Sequence, residues 1–409
     1  MSKFVKLSSI AELTVGFVGT MAKHYEDEGI PFLRSLNIKP FKIISDDMKY
    51  VSAEFSNSLS KSILHKGDVV IVRTGIPGTC CVVPAEYDGC NCSDVVIVHP
   101  NTELVNPHYL AAYINFWGQR QIQNNKVGAI QQNFNVHSAE EMLIFLPDIT
   151  EQEKIAKTIV ALNGKIENNF SVCVELEAMA KTLYDYWFTQ FDFPNAVGKP
   201  YRSSGGEMEW NEQLKREIPK GWDIGNLYAI ADPINGLACQ KHRPKENEKA
   251  LPVVKIKEMH EGITEETELV SVNIPEKHKI FDGDILFSWS ATLEVMYWFG
   301  GNAGLNQHIF KVLPINGFAK EYVYHQFSAY VINFVKMAEA RKTTMGHITT
   351  DHLEQSRIVL PPAKIVQAFS EIVAPIHEKI GQCQKENREL IKLRDWLLPM
   401  LMNGQASVE

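Results

Sequence analysis

The stretch IAKTIVALNGKIENNFSVCVELEAMAKTLYDYW, residues 155–187, decides the fold. Its apolar stations are Ile155, Ile159, Leu162, Ile166, Cys173, Leu176, Ala180, Leu183 and Trp187, set apart by alternating steps of four and three, and Asn169 fills the gap between Ile166 and Cys173. A repeat that averages three and a half residues, with isoleucine early and leucine late, is coiled-coil patterning. No proline interrupts residues 151–187. At 1.5 Å of rise per residue, a helix of about 37 residues runs about 55 Å, longer than a domain of ordinary size.

A second stretch near the end of the chain carries the same pattern. Phe369, Val373, Ile376, Ile380, Cys383, Leu390, Leu397 and Leu401 are its apolar stations, Asn387 is its polar one, and Pro375 is the single proline between residues 364 and 398. Antiparallel pairing centred on the two segments sets Asn169 opposite Asn387 and Cys173 opposite Cys383. A buried asparagine pair fixes register at some cost in stability. Parallel pairing is hard to build, because each helix follows its own globular segment in the same chain order.

Outward from the helices, the chain is written twice. Leu146-Pro147 matches Leu360-Pro361, Lys165-Ile166 matches Lys379-Ile380, and Glu175-Leu176 matches Glu389-Leu390, all at one offset. Upstream the offset drifts, as loop insertions require: Tyr109 pairs with Tyr322, Gly67-Asp68 with Gly283-Asp284, and Leu7, Ile10 and Ala11 with Leu227, Ile230 and Ala231. Each copy begins with short strands and tight turns, such as Val69-Val70-Ile71-Val72 before Gly75-Ile76-Pro77-Gly78, and then has a helix near 107–124 or 320–337. The expected fold is α+β. Two pseudo-symmetric domains, residues 1–148 and 219–362, are separated by a long antiparallel two-helix coiled-coil spacer made of residues 149–190 and 363–409. Residues 191–218 form the linker.

Composition sets bounds. The chain has 409 residues, 45% hydrophobic and 22% charged, with a formal net charge of −8. An acidic, evenly spread balance excludes a protein that coats nucleic acid or an anionic membrane through bulk charge. No apolar run approaches the ~18 residues of a spanning helix, and the opening Met1-Ser2-Lys3-Phe4 has no signal-peptide core, so the expected location is cytoplasmic, with no membrane partner. Seven cysteines form an odd, sparse set that suits reduced thiols better than a disulfide framework.

The usual catalytic signatures are missing. Asn106-Pro107-His108-Tyr109 has the outline of an adenine methyltransferase motif without its second proline, and its repeat counterpart is Ala319-Lys320-Glu321-Tyr322. Asn106 as helix cap and Pro107 as first helical residue explain it better. Gly300-Gly301-Asn302-Ala303-Gly304 has the wrong spacing for a dinucleotide fingerprint, and there is no phosphate-binding Gly-Lys-Ser/Thr loop. Pro147-Asp148 lacks the Glu-x-Lys of a nuclease core. Cys80-Cys81 and Cys90-x-Cys92 lack a second matching pair for structural zinc. No catalytic residues and no metal site are expected.

The junction Trp187-Phe188-Thr189-Gln190-Phe191-Asp192-Phe193-Pro194 carries a resemblance, with Gly198-Lys199-Pro200-Tyr201, Ser203-Ser204-Gly205-Gly206-Glu207-Met208 and Pro219-Lys220-Gly221-Trp222. Leu146-Pro147 before Glu151-Gln152, and Leu398-Pro399-Met400-Leu401-Met402-Asn403-Gly404, extend it. Over nearly its whole length the chain resembles the specificity subunit of a type I restriction–modification system. The second copy departs from the pattern, with Ala363-Lys364-Ile365-Val366-Gln367 in place of the usual Glu-Gln. The first copy lacks a Pro-x-Gly-Trp opening. The resemblance implies two target-recognition domains that read the two halves of a split, asymmetric site in double-stranded DNA. It implies helices that set the gap and dock two methyltransferase subunits, with restriction subunits in the full complex. It also implies no cofactor in this chain: S-adenosylmethionine belongs to the methyltransferase partner, and ATP and magnesium to the restriction partner. Half-sites one turn apart lie about 34–36 Å centre to centre, within reach of a helix pair about 55 Å long.

Base edges are read by amides, hydroxyls and cations on loops or helix ends. In copy one the candidates are Lys126, Gln131, Gln132, Asn133 and Asn135, an amide-rich loop between apolar flanks. Their counterparts in copy two are Arg341, Lys342, Thr343, Thr344, His347 and Thr349. The turn with Arg73 and Thr74, and the segment Ser288-Trp289-Ser290 read as its counterpart, are second candidates. The rival reading is a non-catalytic coiled-coil scaffold that binds protein partners only. A fused methyltransferase–nuclease is set aside for want of motifs.

Overall fold

The computed structural model describes residues 3–118, 121, 134–290, 292–340, 350–403 and 405–406. Its contacts gather into two units, Met1–Glu167 with Glu389–Glu409, and Asn168–Arg388. Both are mixtures of helix and sheet.

In the first unit the β-branched run Val69–Val72 forms a wholly buried strand. It lies in an antiparallel sheet ordered Ala11–Val15, Val95–Pro100, Val69–Val72, Cys80–Val82. Both faces of this sheet are covered, which is why its strands read as unbroken apolar runs rather than alternating ones. Val69, Ile71, Val96 and Val98 pack with Leu7, Ile10, Tyr109 and Leu110. Val70, Val72, Val95 and Ile97 pack with Leu33, Leu64 and Cys92 on the other side. Strand Lys3–Lys6 pairs antiparallel with Leu143–Leu146, joining the two ends of the domain. Helix Pro107–Tyr113 starts at Asn106, whose side chain accepts from His108 N and Tyr109 N. It is followed by a π-turn, Ile114–Gly118, where a longer α-helix was expected.

The second unit repeats this plan. Its main sheet runs Ala231–Asn235, Ile309–Pro314, Ile285–Ser288, Glu294–Tyr297, and Asp223–Gly225 pairs with Ile358–Leu360. Individual hydrogen bonds recur. Tyr109 Oη donates to Phe145 O at 2.7 Å, and Tyr322 Oη to Val359 O at 3.1 Å. Asn101 N donates to Ile10 O, and Ile315 N to Ile230 O. Gly16 N donates to Val95 O, and Gly236 N to Ile309 O. The helix Lys320–Ala340 is longer than its counterpart, and a hairpin, Met208–Asn211 with Arg216–Pro219, precedes the domain.

The two long helices are Ile149–Tyr184, closed by a π-turn at Asp185–Thr189, and Ala363–Met402, a run of 40 residues that passes through Pro375. Each contributes to both units. In the first unit Ile155, Ala156 and Ile159 share the domain core with Leu398, Leu401 and Met402. In the second unit Asn169 Nδ2 donates to Asn387 Oδ1 at 2.9 Å and to Glu386 Oε2 at 2.8 Å. Cys173 lies beside Cys383, its thiol 3.7 Å from Ile380 O, and Trp187 meets Phe369 with ring centroids 5.7 Å apart. These contacts run in opposite chain directions. The helices are therefore core elements: Tyr184, Trp187 and Phe188 are buried against Tyr322 of the domain that follows and Phe369 of the second long helix.

Candidate nucleic-acid interface

The turn after Val69–Val72 is built on glycine. Gly75 and Gly78 have φ of 86° and 92°, a region that side chains with a Cβ avoid, and Gly78 N closes the turn onto Val72 O at 3.1 Å. Arg73 enters this turn half-buried, and Thr74 is exposed at its tip. Arg73 N donates to Asp94 O, Arg73 Nε donates to Phe134 O at 3.2 Å, and Phe134 N returns a bond to Arg73 O. The Arg73 turn and the downstream end of the amide-rich loop are thus stitched together. Among the described residues the two terminal amino groups of Arg73 have no hydrogen-bond partner. Asn135 serves as a helix cap: its Oδ1 accepts from Ser138 N at 2.8 Å and Ser138 Oγ at 3.0 Å, ahead of Val136–Glu140. Lys126, Gln131, Gln132 and Asn133 lie outside the described residues, as do Arg341, Lys342, Thr343, Thr344, His347 and Thr349.

The second domain moves the counterpart of Arg73 by one residue, in keeping with the match of Gly67-Asp68 to Gly283-Asp284. Trp289 N donates to His308 O, the bond that Arg73 N makes to Asp94 O. Trp289, and not Ser288, therefore occupies the position of Arg73. A one-residue slip turns every side chain to the other face of a strand. Ser288 is fully buried with its hydroxyl on Ser290 O, and Ser290 is 9% exposed, so neither hydroxyl is offered at the surface.

Sequence reading also missed a polar group at this sheet end. Trp289 Nε1 donates to Asn235 Oδ1 at 3.3 Å, and its ring lies 5.5 Å from that of His308. The Gln307 amide meets His308 Nε2 at 3.3 Å. His278 Nδ1 lies 3.1 Å from Asn235 O. Next along the chain, Lys241, His242, Arg243 and Lys245 line a hollow of about 620 Å³ with Glu246 and Glu248. These residues sit on three separate strand ends and a loop, so no local motif signals them. The Lys-His-Arg-Pro-Lys run at 241–245 was the one available cue.

The sequence profile described as the type I restriction modification DNA specificity domain matches twice, over residues 2–176 and 219–391. The chain belongs to that family. Each match runs on into a long helix, to 176 within Ile149–Tyr184 and to 391 within Ala363–Met402. It is 28% identical over 285 residues to the type I restriction enzyme MjaIX specificity subunit of Methanocaldococcus jannaschii, covering 66% of this chain and 62% of that subunit. The match to the HindI specificity subunit of Haemophilus influenzae is 23% identical over 422 residues, with 87% of this chain and 91% of that one covered. In fold the chain is similar to the crystal structure of a type I restriction–modification system S subunit from M. genitalium, with a TM-score of 0.58 at 14% identity over 98% of this chain and 96% of that one. No described helix of these specificity domains is long and apolar enough to cross a membrane.

Proposed function

We propose that the chain is the DNA-reading subunit of a type I restriction–modification complex and performs no chemistry itself. Each specificity domain reads one half of a bipartite, asymmetric target. The long helices pair as an antiparallel coiled-coil spacer that sets the gap between the halves and docks two methyltransferase subunits. The methyltransferase partner supplies S-adenosylmethionine and extrudes the target adenine into its own pocket. Restriction subunits, with ATP and magnesium, join that core.

One observation carries the reading: two specificity domains share a backbone plan down to single hydrogen bonds, yet put Arg73 and Trp289 at the same station. A common scaffold with different chemistry at its loop end is what two unlike half-sites require. Arg73, tethered through Nε with its terminal amino groups unbonded among the described residues, suits a forked contact with a guanine edge. The test is co-expression with the methyltransferase subunit and sequencing of modified adenines. The expected result is one motif of two unlike halves around a fixed gap, and Arg73→Ala should relax one half only. Assembly without salt-dependent duplex binding or any modified motif would leave the protein-binding scaffold as the function.

A further inference from the structure

We propose that the second specificity domain reads bases with the side-chain amides of Asn235 and Gln307, each held by one end, while Lys241, Arg243 and Lys277 beside them hold phosphates. This rests on the functional reading above and names the readers of one half-site. Asn235 ends strand Ala231–Asn235, Trp289 follows Ile285–Ser288, and Gln307-His308 leads into Ile309–Pro314. These three strands are neighbours in one sheet.

The hydrogen bonds fix what each amide offers. Asn235 Oδ1 is taken by the Trp289 indole N–H. Its exposed amino group is left with two hydrogens to donate, the pattern that meets purine N7 with guanine O6 or thymine O4. Gln307 engages His308 Nε2 with one end of its amide and leaves the other end unbonded among the described residues. Trp289 and His308 are positioning residues. Their rings pack on each other and Trp289 packs on Phe310, 6.0 Å away, which fixes both amides in advance of binding.

The charges complete a nucleic-acid surface. His278 lies against Asn235 O, and its imidazole is pushed down by burial and then by the nearby Lys277 and His242. Lys277 adjoins His278 in the chain, and Lys241 and Arg243 flank His242 in the loop that follows Asn235. Among the described residues Lys241, Arg243 and Lys277 form no ion pair. Phosphate contacts position a protein on the duplex and base contacts specify the sequence, and this sheet end carries both kinds of group together. At the matching backbone positions the first domain has Val15 for Asn235, Arg73 for Trp289 and Asp94 for His308. The two halves must be read by different chemistry.

Asn235→Asp tests this with the Trp289 contact kept, since the carboxylate still accepts from the indole; the outward amino group is lost and a negative charge gained, so the altered motif and not the loss of affinity is the deciding readout. In the complex with the methyltransferase subunit, methylation of a duplex bearing the wild-type motif should fall about tenfold or more. Sequencing of modified adenines should show altered choice at one or two positions of a single half, opposite to the half that Arg73→Ala affects. Gln307→Ala, which removes the unbonded oxygen end, should alter the same half. Lys241→Ala with Lys277→Ala should weaken binding evenly across sequences and lower the slope of log affinity against log salt by nearly one per charge. An unchanged motif in both amide variants, or a change in the Arg73 half, overturns the assignment. A wild-type complex that modifies no bipartite site overturns the functional reading, and this inference with it.

Discussion

Gln152 shows what one side chain can hold. It is fully buried at the start of the first long helix, where Oε1 accepts from Asn106 N at 2.9 Å and Nε2 donates to Leu104 O and Pro147 O at 3.1 and 2.9 Å. One amide thereby satisfies three backbone groups from the loop before one helix and the turn before another. Gln152→Ala strands all three, and each buried polar group left unpaired costs roughly 1–3 kcal/mol. A urea unfolding curve should show the first unit destabilised by about 3 kcal/mol or more, with the second unit unmoved. The second copy solves the same junction without polar groups: Val366 stands at the matching position, in the core, with Ala319 packed against that core. The Glu-Gln pair was legible as part of a resemblance, but its work was not. Hydrogen bonds to backbone groups dozens of residues away leave no pattern in the sequence. The burial of Ser288 was hidden for a related reason, because strand register depends on the partner strand and not on local composition.

At the scale of elements, the helices were the most legible part of the chain. A seam repeated over several turns is a strong periodic signal, and the polar stations Asn169 and Asn387 could be set against each other by register alone. What periodicity could not reveal is the packing of the helix ends on their domains. In the second unit Tyr184, Tyr297, Tyr324, His325 and His377 form one buried aromatic group between the long helices, the helix Lys320–Ala340 and the strand Glu294–Tyr297. The ring centroids of His325 and His377 lie 5.1 Å apart, and Nε2 of each is buried with no hydrogen-bond partner among the described residues. Burial, helped by the neighbouring His377 and by Lys181, pushes His325 down to about 3. Burial, helped by Lys320, pushes His377 down to about 4. Unfolded histidine takes up its proton near pH 6.5. Between that pH and the folded values the unfolded chain binds more protons, so stability falls as pH falls. The slope approaches about 1.4 kcal/mol per pH unit for each histidine. Thermal melts of the wild type should therefore drop steeply from pH 6 to pH 4. His325→Leu with His377→Leu should flatten that decline, and an equal decline in the variant would remove the pair as its cause.

For the whole molecule, the repeat was legible because both copies keep the same anchoring residues, Tyr109 and Tyr322 above all, at stations that hydrogen-bond alike. The net charge of −8 has a consequence for binding. With an acidic balance overall, the chain alone should hold duplex weakly and lose it readily in salt, and sequence preference should emerge only with the methyltransferase subunits bound. Titration of labelled duplex at several salt concentrations, with and without those subunits, measures both effects. Equal affinity and equal selectivity in the two states would contradict this. The seven cysteines add a property of another kind. All are buried, Cys80, Cys81, Cys90 and Cys92 in the first unit and Cys173, Cys239 and Cys383 in the second. Burial raises the thiol of Cys90, of Cys173 and of Cys239 to about 11, and raises those of Cys80, Cys81 and Cys92 further. It is the thiolate that attacks an alkylating reagent, so these groups are silent while the fold is closed. Each is a built-in stopwatch: the rate at which it is alkylated counts how often its own part of the protein breathes open.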